Sequence, residues 1–240
     1  MKPIYLALDF ADWQETELFI QSNHLQGVPV KVGMELFYRE GPKVIEKLKD
    51  NGHSVFLDLK LHDIPNTVYR AMKNLGKLGV DLVNVHAWGG SDMIRAAKQG
   101  FLEGSRPGSD GKLIAVTVLT SMNTRILSEE LGVPAGVDDA ALHLAVLARD
   151  SGADGVVCSP LEVPMIKRHC GFSFYTVTPG IRLKNDEDQD QQRITSPAEA
   201  REYGADALVI GRSVTRAFEP KRTYEKVVKE WNDGNEKGNS

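Results

Sequence analysis

Cysteine is scarce in this chain: 240 residues contain two, Cys158 and Cys170, too few for a disulfide framework. No apolar run approaches the roughly 20 residues that span a bilayer. The N-terminal MKPIYLALDF lacks a signal-peptide layout, because Asp9 interrupts its short apolar run and no small-residue cleavage pattern follows. A basic excess is missing too. The 29 Lys and Arg face 33 Asp and Glu, a formal net charge of −4, and no basic stripe stands out, which speaks against a non-specific nucleic-acid binder. There is no GKS or GKT P-loop, no G-x-G-x-x-G after the first apolar run and no G-x-S-x-G elbow, so nucleotide cofactors and serine-hydrolase chemistry are unsupported. His24, His53, His62, His143 and His169 fall at no metal-ligand spacing, and no metal is expected. What these absences leave is a soluble, cytoplasmic, membrane-free chain of one domain. Its 41% apolar content suffices for a large core.

What is present is a repeating unit: a short β-branched apolar run, a polar or Gly-containing turn, then an amphipathic stretch. The runs are Tyr5–Asp9, Val28–Gly33, Ser54–Lys60, Leu82–Ala87, Leu113–Thr120, Gly155–Ser159, Ser173–Thr178 and Ala207–Gly211. Strands apolar throughout suit a parallel sheet buried on both faces. After Pro65, which fits a first helical turn, Val68, Met72, Leu75 and Leu78 share one helix face. In 137–152, Leu142, Ala145, Val146 and Arg149 share another, with Asp138 or Asp139 as N-cap and Gly152 at the end. Gly152-Ala153-Asp154 and Gly204-Ala205-Asp206 are similar phrases leading from helix end to strand. Eight such units predict an α/β fold, a single closed (β/α)8 barrel over residues 1–231 followed by a polar tail, 232–240. An open doubly wound sheet is the alternative. Two loops are long, Ser121–Gly136 and the polar Arg182–Ser196, as functional lids or disordered segments are.

In such a barrel the active site lies at the C-terminal strand ends. Reading those ends gives Asp9, then Lys31, then Asp58 and Lys60 followed by Asp63, then His86, Thr120, Ser159, Gly180-Ile181-Arg182 and Gly211-Arg212-Ser213. Asp58 and Lys60, two apart on a strand, point to one face. With Asp9 and Lys31 they would make a patch of two negative and two positive charges. Such a patch is costly to bury unless well paired, so it reads either as a structural ion-pair network or as a catalytic site. Glycine and arginine after strands 7 and 8 suit a phosphate, held by backbone N–H groups and a guanidinium fork. The plainer reading is a turn with a surface arginine. His86 is either catalytic or an oriented structural histidine. Cys158, inside an apolar strand, reads as a buried, inert thiol.

The segment Phe56–Val68, FLDLKLHDIPNTV, resembles the D-x-K-x-x-D-I-P-x-T signature of the orotidine 5′-phosphate decarboxylase family. Similar phrases run along the whole chain: LALDF, KVGMELF, VTVLTS, TPGIR and IGRS. The resemblance implies a homodimeric barrel without metal or organic cofactor. It would convert orotidine 5′-monophosphate to uridine 5′-monophosphate (UMP) and CO2, the last step of de novo pyrimidine synthesis. By the same resemblance, Asp9 and Lys31 hold ribose, Asp58 lies beside the departing carboxylate, and Lys60 protonates C6. Asp63 and Thr67 reach into a neighbouring subunit's site, and Thr120 and Ser121 read the pyrimidine. Arg182, Gln191, Gly211 and Arg212 grip the phosphate, with Gln192 the alternative to Gln191. Two other readings stand beside this one. A 3-keto-L-gulonate 6-phosphate decarboxylase relative would share D-x-K-x-x-D but bind Mg2+, and the I-P-x-T continuation disfavours it. A silent scaffold barrel would have no use for the costly charges.

Overall fold

The computed structural model describes residues 3–183 and 195–234. Eight parallel strands close in sequence order into a barrel: β1 (Ile4–Ala7), β2 (Val30–Gly33), β3 (Val55–Leu61), β4 (Leu82–His86), β5 (Lys112–Val116), β6 (Gly155–Val157), β7 (Tyr175–Thr178) and β8 (Ala207–Ile210). Closure runs through Ile4 opposite Leu208 and Tyr5 opposite Val209. The expected (β/α)8 barrel is therefore the fold. Its helices are α1 (Trp13–Ser22), α2 (Met34–Glu40), α3 (Pro42–Asp50), α4 (Pro65–Gly76), α5 (Gly90–Gly104), α6 (Val137–Asp150), α7 (Val163–Cys170), α8 (Pro197–Glu202), the four-residue α9 (Arg212–Thr215) and α10 (Pro220–Asp233). The last reaches two residues beyond the point where the sequence placed the start of the tail. No helix among the described residues is long and apolar enough to cross a membrane.

Most strands are shorter than their apolar runs. β5 stops at Val116 rather than Thr120, and β6 at Val157 rather than Ser159. β2 starts at Val30, since Pro29 has no N–H to give the ladder. The ends of the runs stand clear of the paired ladder, where Asp9, Thr120 and Ser159 lie. The loop 121–136 is not irregular throughout: Ile126–Glu130 forms a helical turn, started by the Asn123 side chain accepting from the Ile126 N–H (3.0 Å).

Two apolar layers hold the barrel. Inside it, Tyr5, Ala7, Phe56, Leu82, Ile114, Val177, Ala207 and Val209 form a plug, with Tyr5 edge-on to Phe56. Between strands and helices lies the larger core, including Leu6, Val32, Leu57, Val83 and Leu208. The period-two alternation of a strand separates the two sets. In α4, Pro65 occupies the first turn and Val68, Met72 and Leu75 are buried as expected; Leu78 lies past the helix end, half-buried. The expected face of α6 is displaced. Its buried residues are Ala140, Ala141, Leu144, Ala145 and Ala148, while Leu142, Val146 and Arg149 are half-buried. Alanines let this helix lie close to the barrel, so small residues rather than large ones mark its inner face. Gly136 is the N-cap of α6, and Asp138 and Asp139 fall in its first turn, where the helix dipole favours carboxylates. α4 and α5 approach so closely that a Cβ on Gly100 or Gly104 would collide with the Tyr69 or Lys73 carbonyl. That contact fixes the helix that begins directly after the Asp63 turn.

Candidate active site

Each strand sends one row of alternate residues into the barrel; on β1, β3 and β4 that row turns from apolar to polar toward the C-terminal mouth, and on β2 it is Lys31. The rows are Tyr5-Ala7-Asp9, Lys31, Phe56-Asp58-Lys60 and Leu82-Asn84-His86. The expected charge patch exists. Lys31 Nζ lies 3.1 Å from Asp9 Oδ1 and 3.4 Å from Asp58 Oδ2, and Lys60 Nζ lies 2.7 Å from Asp58 Oδ1. Asp58 and Lys31 side chains are almost wholly covered, while that of Asp9 is more than half exposed.

Burial alone would push the Lys31 ammonium down, but the Asp58 and Asp9 carboxylates override it and hold the group above its ordinary value. Burial alone would push the Asp58 carboxyl up. Lys31, Lys60 and the hydrogen bonds from Lys60 and Asn84 instead hold it below the usual carboxylate range. Both groups are therefore charged at neutral pH.

Above the patch opens a cavity of about 330 Å³. Besides Asp9, Lys31, Asp58 and Lys60, its walls include Thr120 and Ser121 after β5, Gly180 and Arg182 after β7, and Gly211 and Arg212 after β8. Gly211 leads directly into α9. The segment expected as a lid leaves and rejoins the barrel at one place: Arg182 N–H donates to the Thr195 carbonyl (3.0 Å) and Thr195 N–H to the Gly180 carbonyl (3.2 Å). Gln191 and Gln192 lie outside the described residues.

Asp63 and Thr67 do not meet the other site residues of their own chain. Both are exposed and neither lines the cavity. The Asp63 carboxylate accepts from the Ile64 N–H (2.6 Å). His86 does not line the cavity either. It stacks on His62, ring centroids 5.8 Å apart, and its buried Nδ1 has no partner among the described residues. Cys158, read as inert core, is buried but lines the cavity wall.

Two residues escaped the sequence reading. Asn84, wholly buried, donates to Asp58 Oδ1 (2.7 Å) and accepts from the Lys60 N–H (2.7 Å). Gly33 leaves space beside the Lys31–Asp9 pair, where a Cβ would stand 3.3 Å from Lys31 Nζ and 3.4 Å from Asp9 Oδ1. The signal for Asn84 was parity, since it stands two residues before His86 on a strand otherwise apolar. Gly33 gave no such signal beyond ending a strand.

Fold and site together define a (β/α)8 barrel with a charged small-molecule cavity at its C-terminal mouth. The chain belongs to the Orotidine 5'-phosphate decarboxylase / HUMPS family, whose model it matches over residues 2–227. It is 52% identical over 230 residues to the orotidine 5'-phosphate decarboxylase of Geobacillus sp. (strain WCH70), covering 95% of this chain and 96% of that one. It is 50% identical over 231 residues to that of Bacillus cytotoxicus, covering 96% and 97%. Among solved structures, orotidine 5'-phosphate decarboxylase from Lactobacillus acidophilus superposes with a TM-score of 0.87 at 45% identity, over 97% of this chain and all of that one.

Proposed function

We propose that this protein decarboxylates orotidine 5′-monophosphate to UMP and CO2, using its own side chains and neither metal nor organic cofactor. The observation that carries the reading is Lys60, paired at 2.7 Å with an ionised, largely covered Asp58 at the wall of a cavity that also holds two arginines. Loss of CO2 from C6 leaves a localised sp2 carbanion with no electron sink in the pyrimidine. A fixed cation is what such a charge requires, and Lys60 is both that cation and the proton source. Asp58 faces the departing carboxylate, and their repulsion vanishes as CO2 leaves. Asp9 and Lys31 hold the ribose, and Thr120 and Ser121 the ring. Arg182, Gly211, Arg212 and Gln191 grip the phosphate. Binding energy gained there, remote from C6, organises the reacting end.

The working unit is a homodimer in which Asp63 and Thr67 complete the second copy's cavity. Support comes from the exposure of both residues after β3, with exposed Ile64 next to Asp63 in the chain, and from the exposure of Met34 and Tyr38 on α2, the helix that follows the adjacent strand β2.

An absorbance assay with orotidine 5′-monophosphate in excess EDTA tests the reading. Wild type is expected to turn over promptly. Lys60→Ala is expected to lose at least ~1,000-fold in kcat while binding UMP within about tenfold, because Lys60 acts on the transition state. A folded wild type with no turnover, or a folded Lys60→Ala near wild-type rate, refutes it.

A further inference from the structure

Lys60 has a left-handed backbone, φ +52°, a conformation shared by one other non-glycine residue among those described, His24. The cause is visible in the sheet. β3 and β4 pair regularly at Phe56 with Leu82 and Leu57 with Val83, and pairing resumes at Leu61 with Val85. Four residues of β3 therefore advance against two of β4. The surplus bulges out, and the Lys60 N–H falls out of register with the backbone carbonyls of β4. A buried N–H without a partner is costly. Its acceptor is the Asn84 side-chain oxygen, at 2.7 Å. The same amide turns its nitrogen to Asp58 Oδ1, also at 2.7 Å. Asn84 is 0% exposed and does not line the cavity, so it touches the reacting groups and not the space a substrate would fill.

We infer that Asn84 is a positioning residue: one amide holds the Lys60 backbone in its strained conformation and turns the Asp58 carboxylate to bridge Lys60 and Lys31. The donor and acceptor ends are both used, and no apolar or singly functional side chain does both jobs. A strained backbone persists where its surroundings over-determine it; here the β3–β4 bulge imposes the conformation and the Asn84 side chain supplies the partner that the displaced N–H needs. The inference rests on the reading that Lys60 and Asp58 act on the substrate.

The test uses full-length wild type, Lys60→Ala, Asn84→Ala and Asn84→Asp, each checked for folding by circular dichroism. Asn84→Ala releases Lys60 and Asp58 together. Its kcat should fall on the order of 100-fold, as misplacement of a reacting group by about 1 Å does, with UMP affinity within about threefold. Asn84→Asp is the sharper probe. Ionisable neighbours of position 84 are Asp58 and Lys60 of β3, Lys31 through Asp58, and His86 two residues along β4; on the β5 side it faces apolar Ile114. When protonated, the carboxyl introduced by Asn84→Asp donates to Asp58 with its hydroxyl and accepts from the Lys60 N–H with its carbonyl, as the amide does. Ionised, it faces a second carboxylate and can donate nothing. Two carboxylates so close share one proton, so Asn84→Asp activity should fall as pH rises, along a limb that wild type lacks, and recover toward wild type on acidification.

A purely structural role would lower stability alone, leaving kcat per folded site and the shape of the pH profile unchanged. Asn84→Asp within threefold of wild type at every pH, or a loss independent of pH, overturns the inference. If Asn84→Ala does not fold, the Asn84→Asp profile decides. Wild type without turnover, or Lys60→Ala near wild type, would instead defeat the functional reading. With both controls behaving as expected, the Asn84 variants report on Asn84 alone.

Discussion

Lys31 stands between two carboxylates, and that single arrangement decides how the mouth of the barrel responds to pH. The folded Lys31 value is raised, so its stabilising contribution is complete below its unfolded value and is lost only as pH rises through the raised one. The folded Asp58 value is lowered, so its contribution is complete above its unfolded value and is lost only as pH falls through the lowered one. The Lys31–Asp58 pair is thus intact across the whole neutral range. His86 behaves differently. Burial, then His62, then Lys60 pull its ring down to about 4 from 6.5. The unfolded chain therefore binds the extra proton first. Stability from the neutral ring is present above 6.5 and is lost as pH falls toward 4. Between pH 7 and pH 5 wild type should lose about 1 kcal/mol that His86→Gln does not lose, the full linkage value being reduced by solvent screening of a ring only partly covered. Urea unfolding at the two pH values measures this. Equal losses in both proteins would mean that His86 titrates near its ordinary value. The row that ends in His86 also shows what the sequence could and could not yield. Asp58 and Lys60 were legible because two opposite charges two residues apart on an apolar strand are conspicuous. Asn84 has the same parity but no charge, and an amide within LVNVH looks like an interruption. The left-handed Lys60 was not legible at all, because the bulge that forces it is a property of β3 against β4 and not of either strand alone.

At the scale of elements, the two similar phrases that precede β6 and β8 are members of a larger set. Gly79-Val80-Asp81, Gly152-Ala153-Asp154 and Gly204-Ala205-Asp206 precede β4, β6 and β8, each with its glycine at positive φ. Each aspartate accepts from an N–H at the start of the preceding strand: Val55 (2.7 Å), Leu113 (2.8 Å) and Thr176 (2.9 Å). Each also pairs with a lysine of the helix before that strand: Lys49, Lys98 and Lys167. Every second unit of the barrel is thus clasped to the next at the N-terminal end, away from the cavity. The fourth position breaks the pattern. Gly27-Val28-Pro29 precedes β2, and proline has no carboxylate to offer. The clasps differ in depth, which orders their worth. Lys167 is 4% exposed, so Asp206→Ala strands a buried cation and should cost about 3–5 kcal/mol. Asp154→Ala leaves the Leu113 N–H unpaired, at about 1–3 kcal/mol, and the shallower Asp81→Ala should cost least. The shift in urea midpoint at constant slope reads this series, while kcat of the folded fraction should not move. A kcat that fell with stability would mean that the two ends of the barrel are coupled. The phrase was legible as punctuation between helix and strand. Its function as a clasp was not, because its partners lie about 25 to 55 positions earlier in the chain.

For the whole molecule, the telling residue is the one that the chain does not use at home. Asp63 follows Lys60 by three residues, yet it is exposed and, among the described residues, accepts only the N–H of its own turn. Ile64 beside it is 68% exposed, as is Tyr38 in α2, the helix that follows the adjacent strand β2. An exposed carboxylate next to an exposed isoleucine, in the turn after a strand that lines the cavity, suits a two-fold contact in which the same surface serves both copies. In the proposed dimer each site takes Asp58 and Lys60 from one chain and Asp63 from the other. Lys60→Ala and Asp63→Ala homodimers should then both be nearly inactive, since every site in each carries a lesion. Mixing the two under subunit exchange creates hybrids in which one site carries both lesions and the other carries none. With equal amounts and random pairing, half the dimers are hybrids and half of their sites are intact, so activity should recover to about a quarter of wild type. If Asp63 serves its own chain, each site in each dimer, hybrid or not, retains a single lesion, and mixing restores nothing. Mass-tagged chains establish that exchange has taken place. With exchange complete, the size of the recovered activity decides whether this barrel works alone or as half of a shared pair.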